Sequence, residues 1–298
     1  MAPVFPLVSI ITINYTSLKD TIEFLETATK LTYPNIEIIV VDNNSPYGKP
    51  TEDLKIKYSQ VTFIESDKNL GFAGGNNVGI RQAKGDFYFL LNNDTLLFPD
   101  FLEPIVQFME SHPEVGMASP KVLYPDGKTI QYAGAIGISS FTGRGKCLGI
   151  YEPDTGQFDQ NYETDLGHGA ALIIPRRVVK QIGLMPEVYF LYYEEHDWCE
   201  MMKRVGYKMY FLGTSKVIHK ESMTTGSESH LKTYYMTRNR LIFMRRNFSG
   251  IPYLLGMIFF FIVALPKNTF TFLLRGKQNL LKSFYKGIWW NVVNFKIN

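Results

Sequence analysis

Short apolar runs alternate with helical segments along the first third of the chain. Four apolar runs, often rich in β-branched residues, predict buried strands over 7–13, 36–41, 61–64 and 87–91. Three further segments predict helices over 18–31, 74–83 and 99–109, the last with a proline at its start. Strands separated by helices of this length predict an α/β fold with a mostly parallel sheet flanked by helices.

Polar clusters follow three of the predicted strands directly. They are Asn14, the run Asp42-Asn43-Asn44-Ser45 and the run Asn92-Asn93-Asp94. Because ligands bind at the carboxyl ends of strands in open α/β sheets, these clusters predict a polar crevice at one sheet edge. The oxygen-rich run 92–94 suits a hard divalent cation and hence a diphosphate, although Asn and Asp are also common turn residues.

The second half of the chain is less regular. Residues 115–158 are rich in glycine and predict short strands with a mobile loop over 139–145. Three more strands are predicted over 170–174, 208–212 and 216–219, and helices over 176–183, 192–205 and 233–247.

Charge is unevenly distributed along the chain. Residues 1–228 hold 20 basic and 28 acidic side chains, whereas 229–298 hold eleven basic side chains and no acidic one. This basic tail is also apolar and contains the pair Trp289-Trp290, which favours an anionic membrane surface as partner over nucleic acid. Its apolar stretch 251–265 is shorter than the roughly 20 residues that span a bilayer, so we expect peripheral or monotopic attachment.

The compartment is predicted from the cysteines and the N-terminus. Two cysteines, Cys147 and Cys199, imply no disulfide framework and favour a reducing environment. Residues 1–6 have neither a basic region nor a long apolar run, so we expect no secretory signal there. We therefore predict that the protein is located at the cytoplasmic face of the cell membrane.

Seven short motifs follow one another in a recognisable order. They are Val8–Tyr15, Val41–Ser45, Asn69–Asn77, Leu90–Asp94, Gly167–Ala170, Phe190–Asp197 and Val217–His219. In this order they resemble the inverting family 2 glycosyltransferases of the GT-A fold, in particular the rhamnosyltransferase-like branch. The resemblance implies a Rossmann-like GT-A domain over 1–245 and leaves 246–298 as a membrane-associated helical tail.

The resemblance implies a nucleotide-sugar pocket at the strand ends. Asp42 would accept a hydrogen bond from the imide N–H of uracil or thymine, and Asn92 would contact the ribose. The glycines of 69–77 would allow the backbone to approach the donor closely. The implied donor-binding residues are Thr12, Asn14, Asp42, Asn44, Asn69, Gly75, Asn76, Asn92 and Asn93.

A divalent metal is implied by the same resemblance. Asp94 would be the metal-binding acid of the family's D-x-D motif, in which Asn92 here replaces the first acid, and His219 would complete the site. A nitrogen ligand favours Mn²⁺, and Mg²⁺ is the alternative. His219 could instead be a strand-end histidine that hydrogen-bonds to backbone.

The acidic start of the predicted helix 192–205 carries the implied catalytic group. Glu195 takes the position of the catalytic base, where aspartate is usual, and Asp197 would orient the acceptor or serve as the base instead. Acids in a first helical turn are also favoured by the helix dipole alone. The implied acceptor-binding residues are His168, Gly169, Glu194 and His196.

Two arginines of the predicted basic helix have open roles. Arg238 and Arg240 could meet the diphosphate of a nucleotide or of a lipid carrier. They could equally lie on a solvated or membrane-facing surface of the helix.

The sequence thus predicts an inverting, metal-dependent hexosyltransferase that uses a nucleotide sugar, with dTDP-L-rhamnose as donor or a UDP-sugar in its place. The acceptor would be a lipid-linked saccharide of cell-surface polysaccharide synthesis. A nucleotidylyltransferase would need a Gly-rich, Arg-containing loop after the first strand, which 14–18 lacks. A non-catalytic membrane scaffold would not need Asp94, Glu195 and His219 together. The oligomeric state is left open.

Overall fold

The computed structural model describes residues 5–221 and 229–295. Its strands are β1 (Val8–Asn14), β2 (Ile36–Asp42), β3 (Val61–Glu65), β4 (Phe87–Leu91), β5 (Thr95–Leu97), β6 (Val115–Leu123), β7 (Ile130–Tyr132), β8 (Ala135–Ile136), β9 (Lys146–Cys147), β10 (Asn161–Thr164), β11 (Ala171–Pro175) and β12 (Lys208–His219). Its helices are α1 (Leu18–Ala28), α2 (Glu52–Lys57), α3 (Gly71–Gln82), α4 (Leu102–Ser111), α5 (Arg176–Ile182), α6 (Glu194–Arg204), α7 (His230–Asn247), α8 (Gly250–Phe259), α9 (Leu265–Leu274) and α10 (Gln278–Val293). The ends of the predicted segments 1–245 and 246–298, at 1–4 and 296–298, lie outside the described residues.

A mixed sheet forms the centre of the protein, with β8 and β9 pairing separately. Its main path runs in the order β10-β12-β6-β11-β4-β1-β2-β3, with β5 paired to β12 and β7 paired to β6. The four strands β3, β2, β1 and β4 are parallel, whereas β11 is antiparallel to both of its neighbours. The prediction of a mostly parallel sheet flanked by helices is confirmed.

Two pairings place the polar strand ends at one edge. Asn14 lies opposite Asp42 in the parallel register of β1 and β2. The short strand β5 turns back antiparallel to β12, so that His219 lies opposite Thr95, the residue after Asp94. The end of β12 is therefore brought beside the end of β4, although about 125 residues separate them in the chain.

The region predicted to be irregular contains a long strand. All nine residues of β6 (Val115–Leu123) are buried, and this strand pairs with β12, β11 and β7. The predicted strands 208–212 and 216–219 are a single strand, β12, interrupted by an irregularity between Leu212 and Lys216. Burial on both sides removes the alternating pattern that would have revealed β6.

The apolar C-terminal segment forms a longer helix than expected. α8 continues through a π-helical turn, Phe260–Ala264, into α9, so the helical stretch Gly250–Leu274 is 25 residues long. Pro266 lies in the first turn of α9 and does not end the helix, because the π-turn before it changes the hydrogen-bonding pattern. By length and composition the stretch could cross a membrane, which corrects the expectation that it is too short.

The last helix returns to the rest of the protein. α10 packs along α7, where Asn291 Nδ2 donates to the Arg238 carbonyl oxygen (3.0 Å) and Gly287 lies against the backbone of α7. The helix α7 itself crosses the predicted boundary at 245 and ends at Asn247. The C-terminal helices are therefore packed onto the preceding domain.

Glycines bring α3 close to the sheet. A Cβ added at Gly75 would lie 2.8 Å from Ile13 Cδ1, and one added at Gly79 would lie 2.3 Å from Ile11 Cγ2. These two glycines serve close packing of α3 on β1.

We predict that Gly79→Ala lowers the free energy of unfolding, because overpacking costs about 1–3 kcal/mol and exceeds the helix-propensity gain of up to about 1 kcal/mol. Urea denaturation measures the change. Gln82→Ala on the exposed side of the same helix is the control and should stay within about 0.5 kcal/mol of wild type. A more stable Gly79→Ala protein would contradict the packing argument.

Candidate active site

Two cavities adjoin at the polar edge of the sheet. The first has a volume of about 520 Å³ and contains Asp94 in its wall, and the second has a volume of about 480 Å³ and contains Glu195. Both are lined by the same six residues where they meet, namely Phe72, Asn92, Leu191, Tyr192, His219 and Lys232. Molecules held in the two cavities would therefore face each other across this shared wall.

A carboxylate and a histidine meet in the first cavity. His219 Nε2 lies 3.1 Å from Asp94 Oδ1, and both residues are at least nine-tenths buried. Asn92 Nδ2 donates to the same ring nitrogen at 3.2 Å. The structure thus brings the two predicted metal ligands together.

A hydrogen bond orients the His219 ring. Gln131 donates through its amide nitrogen to Glu221 (3.4 Å), which turns the Gln131 oxygen towards His219 Nδ1 at 2.7 Å. This contact leaves Nε2 as the ring nitrogen that faces the Asp94 oxygen. A carboxylate oxygen and an imidazole nitrogen that face each other in a buried site fit a divalent cation. No pattern in the sequence indicated the role of Gln131.

Asp94 and His219 are two candidate metal ligands and do not make a complete coordination sphere. Within 5–221 and 229–295, no group of three or more His, Cys, Asp or Glu side chains is placed to hold a metal ion. A cation at this pair would be open to ligands from substrate and water.

Four predicted donor residues do not line the first cavity. Asn14 Nδ2 donates to Asp42 Oδ1 at 2.7 Å, and the backbone N–H of Ser45 donates to Asp42 Oδ2 at 3.3 Å. Thr12 is fully buried, and its hydroxyl has no hydrogen-bond partner among the described residues. Asn44 is exposed and has a positive φ of 55°. None of these four, nor Gly75, is among the residues that line the described cavities.

Four other predicted donor residues line the first cavity, and some of them also hydrogen-bond to its walls. Asn76 Nδ2 donates to the Phe72 carbonyl oxygen at 3.1 Å. Asn93 Nδ2 donates to the Ser17 carbonyl oxygen at 3.2 Å and so ties the end of β4 to the start of α1. The predicted donor residues in this wall are Asn69, Asn76, Asn92 and Asn93.

Asn43 organises the loop before α3. Its amide nitrogen donates to Asn69 Oδ1 (3.1 Å) and to the Gly71 carbonyl oxygen (3.0 Å), and its oxygen accepts from the Leu70 N–H (2.9 Å). It also lines the first cavity. Its place between Asp42 and Asn44 in a strand-end cluster was the only sequence signal for this role.

A strained loop precedes α6. Phe190, Tyr192 and Tyr193 have positive φ values of 65°, 70° and 77°, which side chains other than glycine rarely adopt. The predicted helix 192–205 therefore begins only at Glu194. Backbone strain of this kind is concentrated at functional sites.

Helix α7 holds this loop in place. Asn239 Nδ2 lies within 2.7–2.9 Å of the carbonyl oxygens of Tyr189, Leu191 and Tyr192, to which it donates. Arg238 donates to the Tyr189 carbonyl oxygen at 3.1 Å and stacks on Trp290 at 3.9 Å. Arg238 is thus a structural residue of the loop, which answers one of the questions left open by the sequence.

The first two acids of α6 differ in acidity. Burial and the neighbouring Glu195 charge raise the pKa of Glu194 well above its ordinary value. Burial also acts to raise the pKa of Glu195, but interactions that include His196, whose Nδ1 lies 3.5 Å from Glu195 Oε1, outweigh it and lower this pKa below its ordinary value. Glu195 is accordingly the more acidic carboxyl of the pair.

A glycine and a neutral histidine lie near the Glu195 carboxylate. A Cβ at Gly169 would lie 3.4 Å from Glu195 Oε1, so the glycine leaves space there. Burial and the nearby His219 lower the pKa of His168 to about 3, which keeps this ring neutral. The predicted acceptor residues His168, Gly169, Glu194 and His196 all line the second cavity.

Asp197 lies outside both of the described cavities. It is fully buried, accepts from Arg246 Nε at 2.7 Å and from Asn247 Nδ2 at 2.8 Å, and lines neither of the two described cavities. The structure therefore does not bring Asp197 to the Glu195 carboxylate's cavity, and its observed contacts tie α6 to the end of α7.

Comparison with known families agrees with this geometry. The model of the family described as "Glycosyl transferase family 2" matches residues 9–183, more than half of the chain. The chain belongs to glycosyltransferase family 2. The match begins in β1 and ends just after α5, so the sheet edge with Asp94 lies inside it and Glu195 lies beyond it.

Two curated relatives that are named as transferases match this glycosyltransferase over most of its length. It is 28% identical to the low-salt glycan biosynthesis hexosyltransferase Agl10 of Haloferax volcanii, over 81% of this chain and 76% of the relative. It is 23% identical to the N-acetylglucosaminyl-diphospho-decaprenol L-rhamnosyltransferase of Mycobacterium tuberculosis, over 84% and 87%. An uncharacterised protein of Sinorhizobium fredii is 29% identical over 72% of this chain, which spans only 24% of that longer protein. The chain is thus a glycosyltransferase of the hexosyltransferase type.

Solved structures confirm the fold of the glycosyltransferase. A mannosyltransferase of Pyrobaculum calidifontis, in complex with GDP-Man and Mn²⁺, superposes with a TM-score of 0.60 at 16% identity and covers 98% of this chain and 76% of its own. GalNAc-T7, with UDP, GalNAc and Mn²⁺, superposes with a TM-score of 0.61 at 16% identity, covering 86% and 54%. The GT-A fold predicted from the sequence is confirmed.

We predict that Asp197→Asn lowers the free energy of unfolding by about 3 kcal/mol, because it leaves Arg246 without its buried carboxylate. Thermal denaturation measures the loss. Glu200→Gln, which removes a partly exposed helix-surface pair with Lys203, is the control and should cost less than about 1 kcal/mol. A stable Asp197→Asn protein with abolished transfer would instead make Asp197 a catalytic residue.

Proposed function

We propose that this glycosyltransferase moves L-rhamnose from dTDP-L-rhamnose to a lipid-linked saccharide, with inversion, in cell-surface polysaccharide synthesis. The observation that carries the proposal is the shared wall of the two cavities. Asp94 lies in the first cavity and Glu195 in the second, and His219, the partner of Asp94, is one of the residues that line both. A leaving group and an attacking hydroxyl need this opposed arrangement.

The first cavity is assigned to the nucleotide sugar. Asp94 and His219 would hold Mn²⁺ or Mg²⁺, and the ion when bound supplies Lewis-acid stabilisation of the leaving diphosphate. Lys232 lines both cavities and adds a positive charge beside that group. Tyr15 and Tyr235 offer aromatic faces within the same cavity. Asp42 would reach the base only after exchanging its contact with Asn14.

The second cavity is assigned to the acceptor. The Glu195 carboxylate takes the proton of the acceptor hydroxyl as its oxygen bonds to the anomeric carbon, and the bond from that carbon to the diphosphate oxygen breaks on the opposite face. Attack opposite to the leaving group inverts the anomeric configuration. The pKa of Glu194 is raised and that of Glu195 is lowered, which favours Glu195 as the ionised acceptor of this proton.

Two donors are proposed. The Mycobacterium tuberculosis relative, which matches over 84% of this chain, is named an L-rhamnosyltransferase and supports L-rhamnose as the transferred sugar. The Haloferax volcanii relative, at higher identity, is named only a hexosyltransferase, so another hexose carried by UDP is the second candidate. Both donors present a diphosphate between nucleoside and sugar, so the same Asp94–His219 pair serves either.

A membrane is the proposed place of action. The helical stretch Gly250–Leu274 exposes large apolar side chains, of which Ile251 and Ile262 are 71% and 69% exposed. The basic side chains of 229–298 would be attracted to anionic headgroups of the cytoplasmic leaflet at roughly 1 kcal/mol each. We propose monotopic attachment through this face, because the other side of the stretch packs on Leu241 and Phe284.

We predict that Glu195→Gln reduces the turnover number for sugar transfer by about 10²- to 10⁴-fold, because the amide cannot accept the hydroxyl proton. Purified protein is assayed with dTDP-rhamnose and UDP-hexoses on a lipid-linked acceptor extract, with Mn²⁺, with Mg²⁺ and after EDTA. Glu110→Gln on the exposed end of α4 is the control. Full turnover in Glu195→Gln, or transfer that survives EDTA, would refute the corresponding part of the proposal.

We predict that the double variant Ile251→Glu/Ile262→Glu moves the protein from the membrane pellet to the soluble fraction. Two carboxylates on the exposed apolar face cost several kcal/mol in a lipid environment. Ile56→Glu is the matched control, since Ile56 is 74% exposed on α2 and should remain with the membrane like wild type. Unchanged sedimentation of the double variant would place the attachment on another surface.

A further inference from the structure

A glycine-containing loop carries an arginine to the wall of the second cavity. Arg144 lies in the loop 139–145 and is exposed in that wall. The loop packs on α8 through Phe141, whose ring centroid lies 4.5 Å from that of Phe259. On its other side the Tyr193 hydroxyl donates to the Gly143 carbonyl oxygen at 2.7 Å. Arg144 is therefore presented between Glu195 and the apolar helix α8.

A second arginine lies directly behind this loop. Arg240 is only 4% exposed, and a Cβ at Gly143 would lie 3.1 Å from its Nε. Its guanidinium stands over the Phe260 ring at 5.0 Å. Within the described part of the chain it makes neither a hydrogen bond nor an ion pair, and its Nε is buried without a partner.

This environment is unfavourable for a guanidinium. Burial lowers the pKa of Arg240 to about 10, and the charge of Arg144 acts in the same direction. Arg144 likewise forms no ion pair with an acidic side chain among residues 5–221 and 229–295. A buried charge without a partner costs several kcal/mol unless a counter-ion compensates it. Arg238, two residues earlier, is instead compensated by backbone carbonyl oxygens.

We propose that Arg144 binds the diphosphate of the lipid-linked acceptor at the edge of the second cavity, and that Arg240, which is buried behind the loop and does not line that cavity, supplies a second positive charge to the same group. An arginine fork matches the geometry of phosphate oxygens, and two guanidinium charges suit the charge of a diphosphate. With the phosphates there, the acceptor sugar extends towards Glu195 and the lipid chain follows the exposed apolar face of α8. This assignment rests on the proposed function, because it takes the second cavity as the acceptor site.

The test measures binding without any donor. Full-length protein is sedimented with phosphatidylcholine vesicles that contain undecaprenyl diphosphate, with charge-matched phosphatidylcholine–phosphatidylglycerol vesicles, and with phosphatidylcholine alone. We expect undecaprenyl diphosphate to strengthen binding, and Arg144→Gln and Arg240→Gln each to weaken that gain about tenfold. Arg144→Lys should retain part of it. Lys282→Gln, on the exposed side of α10, is the control for general attraction to the membrane and should keep the gain.

Each other outcome overturns the assignment. An equal gain from phosphatidylglycerol, lost equally in Arg144→Gln, would make this a site for bulk lipid headgroups. A carrier-dependent gain that neither arginine variant reduces would place the diphosphate elsewhere. Arg144 is exposed, so its variants should keep the wild-type melting temperature and remain informative if Arg240→Gln is unstable. Absence of sugar transfer would count against the proposed function but leave this binding result unaffected.

Discussion

The hydrogen bonds from α7 to the backbone before α6 are the constraint on which the site depends. One buried carboxamide, that of Asn239, donates to three carbonyl oxygens of a loop whose residues have positive φ. Without such contacts a loop of this conformation would relax at a gain of about 1–3 kcal/mol per strained residue. Because the loop leads into α6, the same contacts fix where the Glu195 carboxylate stands. Helix α7, for which the sequence also allowed a membrane-facing position, thus forms part of the wall of the candidate active site.

A second consequence is the way in which two distant strand ends are joined. Asp94 follows β4, a central strand, whereas His219 ends β12, which lies three places further along the sheet order. The short strand β5 bridges them by pairing with β12 directly after Asp94. The Asp94–His219 pair, to which we assign the metal, is therefore held by backbone hydrogen bonds of the sheet and not by a flexible loop. This rigidity suits a site that must hold a diphosphate against an opposing carboxylate.

Charge is separated across the site. Glu195, the more acidic of the two adjacent carboxyls of α6, lies in the second cavity. Positive side chains lie near the places assigned to phosphate groups, namely Lys232 between the cavities, Arg144 in the wall of the second cavity and Arg240 behind it. The loop that carries Arg144 packs on α8, so the proposed diphosphate site adjoins the helix proposed to meet the lipid.

The sequence by itself determined the parallel sheet, its polar edge, the family and the proximity of the acids on α6. Apolar runs and strand-end clusters are local patterns, and parallel strands bring their carboxyl ends to one edge whatever the details of packing. Only the tertiary structure decided which polar residues face the cavities. It turned Asp42 towards Asn14, directed Asp197 to Arg246, gave Asn43, Gln131 and Asn239 their roles and left Arg240 without a partner. These outcomes depend on contacts between residues 26 to 127 positions apart, and a local pattern carries no information about such contacts.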